Sequence, residues 1–371
     1  MKTLKQKIIE KIKREGPITF ETFMEMALYE PGFGYYASER TEIGRAGDFY
    51  TSPHLHPAFG AMIGKQIEEM WELMQRPADF HILEIGAGAG YLCKDILDYL
   101  AKRSSIPLTY IIVETNSHMK QKQEKRLEDF LDKVIWVSSL EAVRTVRGCV
   151  LSNELLDAFP VHLIEMEDDV KEIYVTASAD SLAEMKNYLS TDAITDYVNE
   201  FSITFSRGYR TEINLRIKDW LKSIDKILSE GFILTIDYGY PAWDYYGEHR
   251  NRGTLLSYRK HQVAEDAYQN IGEQDITAHV NFSSVKKWGE ELGFKTLGFC
   301  QQGTFLIALG IDEIMRELYE TSPDYLFEVA KIKRLIFPGT MGETHKVIVQ
   351  YKGNGYPKLR GFSIKNQADK L

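Results

Sequence analysis

Residues 81–97 constrain this chain more than any other stretch. A short apolar run, Ile82, Leu83 and Ile85, ends in glycines at 86, 88 and 90, and a helical pattern, Leu92, Ile96, Leu97 and Leu100, follows. This reads as strand, tight turn and helix N-terminus. Glycine lacks a Cβ and tolerates positive φ, so such a turn lets the backbone approach a ligand closely. The unpaired N–H groups of the first helical turn then face whatever polar group sits there. A nucleotide-type cofactor site is expected, because three alternating glycines each cost roughly 1 kcal/mol of backbone entropy relative to alanine if left unused.

The spacing discriminates between cofactors. A dinucleotide fingerprint, G-x-G-x-x-G, places its third glycine where Tyr91 stands. From Glu84 to Gly90 the chain instead reads E-x-G-x-G-x-G, which resembles the first motif of class I S-adenosylmethionine (SAM) methyltransferases. SAM carries an ammonium and a sulfonium, so an acid such as Glu84 beside the turn is compatible with it. A second signal is the buried-strand run Thr109–Val113 ending in Glu114. An acid there can accept both hydroxyls of an adenosine ribose. NAD enzymes use the same device, so Glu114 supports adenosine rather than SAM in particular.

A net charge of −9 without a basic block argues against a nucleic-acid partner. No apolar run approaches the roughly 18 residues of a membrane span. Cys93, Cys149 and Cys300 are scattered, which fits a reducing interior. His54-x-His56 lacks a third ligand at suitable spacing, so no metal is expected. The N-terminus is lysine-rich and amphipathic, with Leu4, Ile8 and Ile12 at helical spacing. It reads as a structural helix rather than a targeting segment, and a cytoplasmic location is expected.

Alternating strands and helices over 80–240 predict an α/β, doubly wound sheet. The expected strands are Phe80–Ile85, Tyr110–Val113, Val134–Val137, Cys149–Ser152 and Phe232–Asp237. The expected helices are Tyr91–Arg103, Asn116–Phe130 and Leu215–Leu228. The late apolar run Phe305–Leu309 reads as an antiparallel last strand, the mark of a class I, Rossmann-like SAM-methyltransferase fold and foreign to dinucleotide-binding sheets. Residues 1–60 are expected to cover the cofactor site and 61–350 to form the core. Insertions at about 161–210 (with a hairpin turn at Asp168-Asp169) and 240–285 would form a lid or substrate region, and 351–371 a C-terminal tail.

Motifs outside the core sharpen this reading. Gly47-Asp-Phe-Tyr-Thr-Ser-Pro53, Asn153-Glu-Leu-Leu-Asp-Ala-Phe-Pro-Val161, Ile236-Asp-Tyr-Gly239, Arg252-Gly-Thr-Leu255, Gln274-Asp-Ile-Thr-Ala-His-Val280 and Pro338-Gly-Thr-Met-Gly342 occur in this order. The set resembles the MidA-like SAM-dependent methyltransferases over roughly residues 15–350. Mitochondrial members of that family are complex I assembly factors that methylate an arginine in an NADH dehydrogenase subunit. The resemblance therefore implies a protein substrate of that kind. Two positions depart from the family pattern: Ile271-Gly272 stands where Pro-Gly is common, and Asn281 where an aspartate is common.

Candidate catalytic residues follow from the chemistry. A guanidinium offers donors but no acceptor while protonated, so carboxylates are needed to orient it and to take its proton. Asn153, Glu154 and Asp157 lie after the fourth strand, at the sheet edge where α/β ligands bind, and Glu154 and Asp157 are spaced to share a helical face. Asp237 closes the fifth strand at the same edge. The alternative is ordinary helix-start acids for the first group and a turn aspartate for Asp237. By resemblance, Glu212 faces the target, and Asp48, Thr51 and Ser52 fold over the methionine end of SAM, with Asp48 near its ammonium. The competing functions are a small-molecule methyltransferase and a non-catalytic assembly factor with a SAM fold.

Overall fold

A computed structural model describes residues 2–38, 51–103, 106–259, 262–264 and 266–371. Seven strands build the central sheet and are numbered here in chain order: β1 (Phe80–Ile85), β2 (Leu108–Val113), β3 (Val134–Val137), β4 (Val146–Asn153), β5 (Leu228–Tyr240), β6 (Lys295–Gln301) and β7 (His345–Lys352). Their spatial order is β3-β2-β1-β4-β5-β7-β6. The first five are parallel, whereas β7 runs antiparallel to both β5 and β6. This is the class I methyltransferase arrangement. The short strand Val280–Asn281 adds to the carboxyl end of β5.

The reversed strand is not the one expected from sequence. Phe305–Leu309 lies in and just after a helix, Gln302–Ala308, with Phe305 and Leu306 buried; the antiparallel strand is β7, some forty residues later. A short continuous apolar run does not distinguish a buried strand from a buried helix.

Helices cover both faces, as a parallel sheet buried on two sides requires. One face carries Ala58–Leu73 and Tyr91–Arg103, whose Ile63, Ile67, Ile96 and Leu97 pack with Ile82, Cys149 and Leu234 of the sheet. The other carries Arg216–Ile227 and Phe282–Glu291, whose Leu221, Ile224 and Val285 meet Leu83, Val150 and Ile233.

A third apolar cluster lies outside this sandwich. The helix α1 (Leu4–Glu15) begins with a capping box at Thr3 and buries Leu4, Ile8 and Ile12 at the spacing seen in the sequence. The helix α2 (Phe20–Tyr29) buries Phe20, Phe23 and Met24. Both pack on an antiparallel sheet formed by His162–Met166, Val170–Ser178, Ser181–Asn187 and Arg210–Ile213, to which Ile18–Thr19 adds by pairing with Val175 and Tyr174. The turn at Asp168-Asp169 joins two of these strands, with Glu167 N donating to Asp169 O at 3.0 Å. Residues 256–259, 262–264 and 275–277 form a small third sheet.

Candidate active site

The carboxyl ends of β1, β2 and β4 open into a cavity of about 490 Å³, a volume suited to a small-molecule cofactor. Its floor is the glycine turn. Gly86, Gly88 and Gly90 have φ of 77°, 50° and 80°, values that only glycine adopts freely. Gly86 and Gly88 line the cavity. Gly90 turns the chain into the following helix, its N–H donating to Ala87 O at 2.9 Å. At Gly86 a Cβ would lie 2.9 Å from Leu155 Cδ1, so a side chain there would press on the cavity wall.

Glu114 ends β2 and faces the cavity. Its carboxylate accepts from Asn116 N (2.8 Å) and Gln123 Nε2 (2.9 Å), and the same Gln123 amide donates to Gly88 O (2.7 Å). Gln123 thus ties the acid to the turn, and its Oε1 accepts from Trp136 Nε1. No sequence motif pointed to Gln123. Burial raises the pKa of Glu114. Glu84 lies in the wall, accepts from the Tyr110 hydroxyl at 2.8 Å and is pushed up to about 7 by burial.

The opposite end of the cavity is built by β4 and the N-terminal segment. Asn153 and Glu154 line it. Asn153 Oδ1 is buried without a partner among the described residues. Glu154 has φ of 51°, an uncommon conformation for a residue with a side chain. It precedes the 3₁₀ turn Leu156–Ala158, so Glu154 and Asp157 do not share a helical face. Glu154 Oε1 accepts from Ser52 N (3.1 Å) and Asn153 Nδ2 (3.2 Å), with His345 Nε2 at 3.5 Å. Its Oε2 makes no hydrogen bond among the described residues.

Asp157 is buried one step behind this wall. The Tyr238 hydroxyl donates to its Oδ2, and burial pushes its pKa up to about 7. Asp237 is buried too and raised for the same reason. Asp237 Oδ2 accepts the backbone N–H groups of Leu155, Leu156 and Asp157 at 3.1, 2.9 and 3.4 Å, while Oδ1 accepts from Tyr238 N. That is the geometry of a turn anchor, and Asp237 does not line the cavity. Glu212 stands apart from the cofactor cavity, in a neighbouring one, buried under the loop at 253–255.

Thr51 lines the cavity together with Pro53 and His54. Ser52 does not: its hydroxyl turns away to Gln302 Oε1 (3.1 Å), and it meets the site only through its backbone N–H to Glu154. Asp48 lies outside the described residues. His54 and His56 point different ways. His54 packs on Tyr91 in the cavity wall and is lowered to about 4 by burial; His56 faces Glu328. Glu25, Tyr29 and Tyr36 complete the wall. The two tyrosine rings stack at 5.7 Å, and their hydroxyls donate to Ala158 O and Asp275 Oδ1, both at 2.9 Å. These aromatic and acidic wall residues carried no motif, because they come from helices and loops remote in sequence.

Sheet order, glycine turn and terminal acid of β2 together define a class I SAM-dependent methyltransferase. The chain belongs to a family of S-adenosyl-L-methionine-dependent methyltransferases whose family model matches residues 62–300, in accord with the MidA-like motifs. A relative from Caenorhabditis elegans, named protein arginine methyltransferase NDUFAF7 homolog, mitochondrial, is 28% identical and aligns over 86% of this chain and 79% of its own. The Xenopus tropicalis protein arginine methyltransferase NDUFAF7, mitochondrial, is 27% identical over 89% and 79%. A Burkholderia thailandensis structure bound to S-adenosyl-homocysteine superposes with a TM-score of 0.91 at 27% identity, covering 99% of this chain and 96% of that one. The cofactor is SAM. The cytoplasmic location expected from the N-terminal sequence is overturned, because these relatives are named as mitochondrial proteins. No helix among the described residues is long and apolar enough to cross a membrane.

Proposed function

We propose that this enzyme methylates an arginine side chain of a protein substrate, the activity for which its relatives are named. Glu154 carries the reading: a residue held at positive φ, lining the cofactor cavity, with Oε1 fixed by its neighbours and Oε2 without a hydrogen bond among the described residues. Such strain is retained where it places a functional group. Glu25 and the stacked Tyr29 and Tyr36 extend the same wall, and acids with aromatic faces suit a planar cation.

When bound, SAM supplies an electrophilic methyl group on its sulfonium. Glu154 Oε2 accepts guanidinium N–H bonds and turns one nitrogen toward that methyl. As the C–N bond forms and the C–S bond breaks, the nitrogen gives up a proton through the Glu154 carboxylate that holds it, and Asp157, buried behind Glu154 and raised toward neutral pH, is the acid that keeps it. Asp237 supports this by fixing the backbone of 155–157, and Asn153 holds the Glu154 carboxylate. Thr51, Glu84, Glu114 and the glycine turn form the cofactor cradle, and Ser52 supports it through its N–H bond to Glu154; Glu212 is assigned no direct contact with the cofactor. Within this reading, a subunit of a respiratory NADH dehydrogenase is the first substrate to test.

The test is transfer of tritiated methyl from SAM to mitochondrial or bacterial respiratory-complex fractions, followed by amino-acid analysis. Label in methylarginine is expected, and Gly88→Val abolishes it by forcing a branched residue to φ of 50°. With the labelled protein as substrate, kcat/KM should rise with pH through about 7, as Asp157 loses its proton, and Asp157→Asn should lower it by about 10²–10⁴-fold. Label in a dialysable product would instead select a small-molecule methyltransferase.

A further inference from the structure

A second cavity, of about 660 Å³, adjoins the first through a chain of contacts: Asp157 accepts from Tyr238, and the Tyr238 ring meets the His279 ring edge-on at 5.2 Å. His279 lines this second cavity with Arg210, Arg250, Arg252, Glu165 and Glu212. The charges are not equally available. Arg210 is held by Glu184, with Nη1–Oε2 at 2.7 Å and Glu165 at 4.0 Å. Arg250 lies over the Tyr240 ring at 3.6 Å with Asp244 at 3.4 Å. Glu212 is saturated: it accepts from Thr254 N (3.0 Å), Thr254 Oγ1 (3.1 Å), Leu255 N (3.1 Å) and the Tyr245 hydroxyl (3.3 Å). Arg252 alone of the three arginines has no hydrogen bond or ion pair among the described residues.

The loop that carries Arg252 is nevertheless anchored. The next residue, Gly253, has φ of 78°, and a Cβ on it would lie 2.2 Å from Glu212 Oε1. The loop 253–255 is therefore folded down onto a buried carboxylate, and Thr254 Oγ1 also accepts the His279 N–H at 3.0 Å. His279 Nδ1 is buried with no partner among the described residues. Burial, with Arg250, Lys346 and His345 nearby, lowers the imidazole to about 3, so it adds no positive charge of its own. A concave surface with one free cation among the described residues, on an anchored loop, repels a guanidinium and attracts an anion. The acidic, aromatic wall at Glu25, Tyr29 and Tyr36 has the opposite character.

We propose that this second cavity binds an acidic side chain of the protein substrate, close in sequence to the target arginine, with Arg252 as its contact cation and Arg250 beside it. The proposal rests on the arginine-bearing protein substrate inferred above. It assigns the Arg252-Gly253-Thr254 motif to substrate selection and Glu212 to positioning that loop.

The experiment uses the full chain saturated with S-adenosyl-homocysteine. Short fluorescein-labelled alanine–glycine peptides carry a central arginine and a glutamate walked along the flanks, each with a glutamine twin, and binding is read by anisotropy. At one or more spacings the glutamate peptide is expected to bind about tenfold tighter than its twin. Arg252→Ala should erase the difference, and Arg252→Glu should transfer the preference to a lysine twin. Calorimetry should give both variants the wild-type affinity for S-adenosyl-homocysteine, which shows that they fold. Parity of glutamate and glutamine at every spacing, absence of any peptide binding, or a preference that survives Arg252→Ala overturns the proposal. Parity combined with Arg252-dependent stabilisation by inorganic phosphate overturns it in favour of a free-anion site. Replacing the central arginine by lysine separates the two readings: if binding is indifferent to that change, the arginine assignment fails while the glutamate–glutamine comparison still decides the second cavity.

Discussion

Glu84 shows how one buried acid makes the cofactor site sensitive to pH. It is 2% exposed, and burial raises its pKa to about 7 although the Tyr110 hydroxyl donates to it. An unfolded glutamate releases its proton near 4.3. Between these values the folded chain binds the extra proton, so the contribution of Glu84 to stability is full below about 4.3 and is lost as pH rises through 7. The loss is on the order of 3 kcal/mol as an upper figure. Glu84→Gln stays neutral and can still accept from Tyr110. In urea denaturation of the cofactor-free protein, the variant should gain on the wild type between pH 5 and pH 8. A gap that does not change with pH would mean that Glu84 is ionised in the folded chain throughout. Asp237, by contrast, was a plausible catalytic acid on paper. The three N–H groups converging on its Oδ2 make it an anchor and fit the turn-aspartate alternative that the sequence left open.

The elements were legible where local pattern and burial agree. β1, β3 and Tyr91–Arg103 have the boundaries read from sequence, and β4 and β5 only extend further than their apolar cores. Phe305–Leu309 reads as a strand because a continuous apolar run hides its period: Phe305, Leu306 and Leu309 are buried while the equally apolar Ile307 is exposed. The pocket wall was illegible for another reason: Glu25, Tyr29 and Tyr36 come to line the same cavity as Glu154 only through packing of the N-terminal segment on the inserted sheet. Gly60 is a residue whose role only the packing reveals. A Cβ there would lie 2.3 Å from Asp95 Cβ, where Ala58–Leu73 crosses the helix that follows the glycine turn. Gly60→Ala gains helix propensity of about 1 kcal/mol, yet it must push two packed helices apart, an overpacking cost of about 1–3 kcal/mol. Net destabilisation in urea, with weaker S-adenosyl-homocysteine binding as the helix start shifts, is the expected outcome. A variant as stable as the wild type would show that the helices separate freely.

At the scale of the molecule, the cofactor cavity spans two apolar bodies with separate cores. The central sheet supplies the glycine turn, Glu114 and Glu154, whereas the N-terminal segment on the inserted antiparallel sheet supplies Glu25 and Tyr29 from α2 and Tyr36 from the turns that follow it. Phe23 is fully buried in the second body, 5.7 Å from the Phe20 ring and 5.0 Å from that of Tyr268. Phe23→Ala should cost about 3–5 kcal/mol there. Because the cores are distinct, that cost should fall on local opening of the N-terminal body rather than on the whole fold. Hydrogen exchange is expected to accelerate in residues 2–38 and 162–178 and to stay slow in β1 and β2. Residues of both bodies line the cavity, so if the ligand engages both walls, S-adenosyl-homocysteine at about a hundred times its Kd should restore roughly 2.7 kcal/mol of protection to the N-terminal body. Equal loss of protection in β1 and β2 would instead make the two bodies one cooperative unit. The cavity would then be a preformed cleft rather than one completed by docking of the N-terminal helices.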